Sequence, residues 1–138
     1  MKNIFRGKNI NNNEWIYGYY YANPVCCYIL PIGWEISERL DAIQVDSKTI
    51  DEFTGLIDKD SRDIYENDLR IDNRGVIFRI YRVAGGFAIK ADYWKSDCKD
   101  LVLSDDLILE PLANPQMTAW LIENTKHFST IHEHPELQ

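Results

Sequence analysis

The sequence predicts a mainly β protein, β-rich α+β, built as an SH3-like small barrel with an N-terminal β segment and one short C-terminal helix. Three observations lead there. Aromatic and β-branched residues gather in short runs, as in EWIYGYYYANPVCCYILP and VIFRIYRV, and such residues suit pleated, half-buried surfaces. Turn signals such as Asn73-Arg74-Gly75 and Gly85-Gly86 break these runs at hairpin spacing. A single segment after Asn114-Pro115 has helix chemistry.

In chain order, Asn11-Asn12-Asn13 reads as a turn between strands at Ile4 to Lys8 and Trp15 to Tyr21. Asn23-Pro24 ends the second strand. A further pair is expected at Val25 to Leu30 and Trp34 to Ile36. Residues 36–53 read two ways: ISERLDAI has the spacing of one helical turn, and Ala42 to Val45 equally suits an extended segment. Ile50 to Thr54 reads as a short strand.

LIDKDSRDI and YEND are turn-rich. They lead into about five short strands over residues 64–112, a meander of the kind that closes as a small barrel. Asn114 as N-cap and Pro115 at the first position open a helix over about 115–124. FSTIHEHPELQ is expected to supply a strand and a tail. With 138 residues and 45% hydrophobic content, the chain fits one compact domain, 1–138, with parts at 1–63, 64–112 and 113–138.

The formal net charge is -7 and the isoelectric point is near 4.9. Such acidity disfavours nucleic acid unless a local basic patch overcomes the phosphate field. The best candidate for that patch is the meander, where Arg70, Arg79, Arg82 and Trp94 form a candidate interaction surface. Val76 to Val83 is not cleanly amphipathic, because Arg79 and Arg82 fall on different faces of one strand. Three cysteines, with Cys26 and Cys27 adjacent and Cys98 remote, suit a reducing cytoplasm and no disulfide framework. No apolar stretch has the length of a secretory core or a membrane span.

Asp58, Asp60, Asp63, Glu66 and Asp68 are dense enough to suggest a cation loop. Yet the calcium template needs an oxygen ligand at 62, a glycine at 63 and a glutamate at 69. The chain has Arg62, Asp63 and Leu69. Solvated turn carboxylates are the better reading. His132 and His134 would share one face if their segment were a strand, but no HExxH or CxxC accompanies them. No nucleophile elbow, phosphate loop or dinucleotide fingerprint is present. No catalytic residue, cofactor or metal ligand is assigned.

Three blocks, FRGKNINNNEWIYGYYYANP, TGLIDKDSRDIYENDLR and IHEHPEL, resemble the YopX family of phage and prophage proteins. They fall in the family's order and span the chain end to end. Ser61 and Asn67 stand where the family usually has glycine. Ser129 and Thr130 replace a Gly-Asn, and His134 takes an Asn position. Asn67 is a mild change, because asparagine tolerates the left-handed backbone. Ser61 predicts a different geometry for the first turn.

The resemblance implies a phage- or prophage-encoded, β-rich protein with an SH3-like part, in the cytoplasm of a bacterial host. It supplies no activity. The expected role is a non-catalytic protein-binding or accessory module. The alternatives are a nucleic-acid-associated module using the basic and aromatic face of residues 70–95, a metal-dependent enzyme using His132, His134 and the 58–68 carboxylates, or a self-assembling structural protein.

Overall fold

The computed structural model describes residues 4–31, 42–95, 101–103 and 110–134. The expected second strand at Trp34 to Ile36 and the turn after Leu103 lie outside them. Among the described residues the chain is mainly β, with antiparallel sheets and one short α-helix. It divides into two compact units, Met1–Gly55 and Leu56–Gln138.

The first unit carries β1 (Phe5–Lys8), β2 (Trp15–Ala22), β3 (Cys27–Pro31), β4 (Ile43–Val45) and β5 (Asp51–Ile57), whose last two residues begin the second unit. The sheet order is β4-β3-β2-β1-β5. The extended reading of the 36–53 segment holds at 43–45, and the helical turn read in ISERLDAI falls mostly on 36–41, outside the described residues. A 3-10 turn at Ser47–Thr49 follows, capped by the Asp46 side chain.

The core of this unit is thin, with Ile4, Ile29 and Val45 buried. Polar links reinforce it. Arg6 and Asp51 form a buried ion pair at 2.9 Å, and the Lys8 amide donates to Thr49 Oγ1 at 2.8 Å. The Arg6 guanidinium also lies 4.5 Å from the centre of the Trp15 ring.

The second unit contains β6 (Asp63–Tyr65), β7 (Asp68–Asp72), β8 (Val76–Val83), β9 (Gly86–Lys95), β10 (Leu101–Leu103), β11 (Glu110–Pro111), α1 (Pro115–Asn124) and β12 (Thr125–Thr130). Its main sheet runs β10-β9-β8-β7-β12, with β11 on β9. The meander and the helix bounds match the expectation. Among the described residues no ladder joins β10 to β12, so the barrel-like order stays open.

Both faces of this sheet are covered. Val76, Phe78, Ile80, Ile89 and Ala91 pack with Ile64 and Leu121. The Phe78 and Trp120 rings meet edge to face at 5.2 Å. On the other face Leu69, Ile77 and Ile131 form a second cluster. This double burial explains why β8 does not alternate cleanly, since a strand covered on both sides needs apolar residues at successive positions.

Asn114 caps α1 by accepting from the Gln116 amide at 2.9 Å. At the other end Thr125 is both the C-cap and the first residue of β12, and its hydroxyl donates to the Leu121 carbonyl at 2.6 Å. The helix therefore passes into a strand with no loop. That is why the strand begins before the FST segment where hydrophobic pattern placed it.

The turn at 58–62 keeps a left-handed residue: Ser61 has φ 63. A serine thus carries as strain a conformation that glycine adopts freely. For a non-glycine residue this conformation costs about 1–2 kcal/mol, and Ser61 is exposed. Ser61→Gly is expected to stabilise the protein by up to about 1 kcal/mol after the entropy that glycine adds to the unfolded chain. Urea unfolding at neutral pH measures it, and a destabilised glycine variant would contradict the strain.

Candidate interaction surfaces

Asp60 and Asp63 are exposed, as expected of solvated turn carboxylates, whereas Asp58 and Asp68 are buried and hold the chain together. Asp58 Oδ1 accepts from the Asp60 and Arg62 amides, both at 2.9 Å. Its Oδ2 meets Arg70 Nη1 at 3.1 Å. Arg70 Nε donates to Thr125 Oγ1 at 2.9 Å, and Nη2 donates to the Thr125 carbonyl at 3.0 Å. Asp58 thus caps its own turn and, through Arg70, ties that turn to the junction of α1 and β12. Asp68 Oδ2 accepts from the Tyr65 amide at 2.9 Å. Among the described residues no group of three or more His, Cys, Asp or Glu could hold a metal ion.

Arg70, expected at the surface, is fully buried. The reason is the ion pair: a guanidinium can be buried when its donors meet a carboxylate and a carbonyl. Arg79 is half-buried, its Nη2 donating to Asn67 Oδ1 at 2.8 Å. Arg82 is exposed and lies 6.0 Å from the Phe87 ring centre. Trp94 sits in β9 opposite Val76 and Val102. Arg79 and Arg82 occupy opposite faces of β8, so the sheet does not gather these residues into one basic surface.

His132 lies in a 3-10 turn, Ile131–Glu133, and His134 follows it. The strand needed to align them ends at Thr130. His134 instead stacks on Phe128 with ring centres 6.0 Å apart. Cys98 lies outside the described residues.

The surface that sequence reasoning missed is the β2–β3 hairpin. Tyr17, Tyr19, Tyr20 and Tyr21 are 41%, 46%, 41% and 57% exposed, and Val25 at the turn is 88% exposed. Strand alternation puts Tyr17, Tyr19 and Tyr21 on one face and Tyr20 on the other. Asn23 builds the turn, its Oδ1 accepting from the Val25 and Cys26 amides at 2.9 and 2.8 Å.

Tyr21 packs on Tyr28 at 5.9 Å between ring centres. The Tyr20 hydroxyl meets Cys27 Sγ at 3.5 Å. That bond, with some burial, raises the Tyr20 phenol above its ordinary value. A bond to Cys26 does the same for Tyr28. Both stay neutral at physiological pH.

Two signals in the sequence pointed here. No Asp, Glu, Lys or Arg occurs between Glu14 and Glu35, and tyrosines fill both odd and even positions of one strand. They cannot all face one core.

A cleft of about 660 Å³ lies in the second unit, bordered by Lys59, Asp72, Asn124 and His127. Its groups are partly used within the fold. Asp72 takes Arg74 at 2.7 Å, and Lys59 Nζ donates to the Glu123 carbonyl at 3.2 Å.

These features define a β-rich protein of two units whose most distinctive exposed surface is an uncharged tyrosine ribbon. The chain belongs to the YopX family: the family model described as YopX protein matches residues 4–137. No curated protein matches the chain. Among the described residues no helix is long and apolar enough to cross a membrane.

Proposed function

We propose that this chain is a non-catalytic, protein-binding accessory module, encoded by a phage or prophage and acting in the cytoplasm of the bacterial host. The observation that carries this reading is the tyrosine ribbon. Exposed tyrosines offer large, rigid contact area at low entropy cost, and they are enriched at interface hot spots. An uncharged ribbon on a chain of net charge -7 is a surface that a protein can cover without desolvating ions. Support for a non-catalytic role is that the buried carboxylates of the acidic segment serve the fold, Asp58 as turn cap and ion-pair partner and Asp68 as acceptor for the Tyr65 amide. A nucleic-acid role draws less support, because Arg70 is buried and Arg79 and Arg82 diverge.

The test is affinity capture from host cells, followed by mass spectrometry, with the wild type and the Tyr19→Ser/Tyr21→Ser variant side by side. A partner is expected with the wild type and lost with the variant. Two hot-spot tyrosines are worth at least about 2 kcal/mol, roughly 30-fold in affinity. Circular dichroism checks that the variant folds. Capture of the same proteins by both would remove the ribbon as the docking surface.

A further inference from the structure

A separate cluster lies on β8 and β9, in the second unit. The register sets Arg79 directly opposite Lys90. Like charges facing each other across an antiparallel pair repel. Both cations flank one aromatic ring, with Arg79 4.8 Å and Lys90 5.4 Å from the Tyr81 ring centre.

The arrangement is held from outside. Asn67, in a left-handed turn with φ 66, accepts from Arg79 Nε and Nη2 at 3.3 and 2.8 Å. Asp92 meets Lys90 Nζ at 3.1 Å and accepts a hydrogen bond from the Tyr81 hydroxyl. Asp92 is the extra residue of a bulge, since Ile77 pairs with Tyr93 and Phe78 with Ala91. A bulge re-aims a side chain in this way.

Among the described contacts around the Tyr81 ring, two cations meet one carboxylate, Asp92, leaving one positive charge on a fixed platform. From this we infer that Arg79, Lys90 and Tyr81 form a binding site for a single carboxylate. The bound carboxylate meets both the guanidinium and the ammonium at the rim of the Tyr81 ring and offsets their repulsion. Asn67 holds the Nε–Nη2 edge of the guanidinium, and the Nη1–Nη2 edge presents paired donors that match a carboxylate. Asp92, already beside Lys90, disfavours a doubly charged phosphate. The site is independent of the tyrosine ribbon.

Side-chain NMR of the full chain tests it, with acetate titrated against chloride at constant ionic strength. The Arg79 Nε–Hε and Tyr81 ring signals are expected to shift saturably with acetate, with a dissociation constant in the millimolar range, and not with chloride. Arg79→Gln and Lys90→Gln are each expected to weaken binding at least tenfold, while Tyr19→Ser/Tyr21→Ser leaves it unchanged. Should Arg79→Gln disturb the amide spectrum, Lys90→Gln stands as the deciding variant.

A short peptide with a free C-terminal carboxylate, compared with its amidated form, separates a chain terminus from a small free acid as the source. Equal shifts with chloride, shifts centred elsewhere, or tighter binding of inorganic phosphate than of acetate would overturn the assignment.

Discussion

Replacing Arg70 by Met is expected to cost about 3–5 kcal/mol of stability, because it strands the Asp58 carboxylate in the interior. The two side chains are each 1% exposed. Without the guanidinium, Asp58 Oδ2 loses its ion-pair donor, and Thr125 loses bonds at both its hydroxyl and its carbonyl. For a unit of this size such a loss lowers the melting temperature by roughly 15 °C or more.

The double variant Arg70→Met/Asp58→Asn separates the charge from the turn. The side-chain amide that Asp58→Asn introduces still offers an oxygen to the Asp60 and Arg62 amides, so the double variant is expected to recover more than about 1 kcal/mol relative to additivity. Strict additivity in thermal and urea unfolding would show that the pair is not coupled.

The same pair has a pH signature. Burial pushes the Asp58 carboxyl up, but the Arg62 amide, the Arg70 guanidinium and the Asp60 amide together outweigh it, and the group sits below its ordinary value. A carboxyl depressed in the folded state makes the unfolded chain the better proton binder, so stability rises with pH. The contribution is present above the unfolded carboxyl value of about 4. It is lost as pH falls through the lower folded value. Asp58→Asn is expected to flatten this acid limb.

Gly18→Ala is the second large effect, and it acts on the tyrosine ribbon. Gly18 sits in β2 between Phe5 of β1 and Pro31 of β3. A Cβ there would fall 1.9 Å from the Leu30 carbonyl oxygen and 2.8 Å from its carbon. These are backbone atoms, so no rotamer change relieves the clash. The hairpin must part from its neighbour, at about 1–3 kcal/mol or more. Amide hydrogen exchange over residues 15–31 is expected to accelerate, and partner capture to fall with it. Unchanged protection would contradict the close approach.

Much of the fold was legible because its signals are local. The turn chemistry at Asn73-Arg74-Gly75 and Gly85-Gly86 and the Asn114-Pro115 helix start depend on a few adjacent residues. The surfaces were less legible because exposure depends on what covers a residue. Arg70 and Arg79 read alike in sequence, two cations in alternating strands. One faces the buried Asp58 and the other Asn67. The double burial of β8 likewise depends on α1 and on Ile131, both distant in the chain.

Local signals in the chain were enough for the β-rich class, the meander with its turns, the helix and the family. Each rests on short-range propensity or on three recognisable blocks. Only long-range packing buries Asp58 and Asp68 of the acidic segment, divides the expected arginine surface between two faces and the interior, and leaves tyrosines exposed on the β2–β3 hairpin. Burial and ion pairing are properties of long-range contacts. The Asp58–Arg70 bond spans 12 residues and the Arg70–Thr125 bonds span 55, distances over which local sequence pattern carries no information.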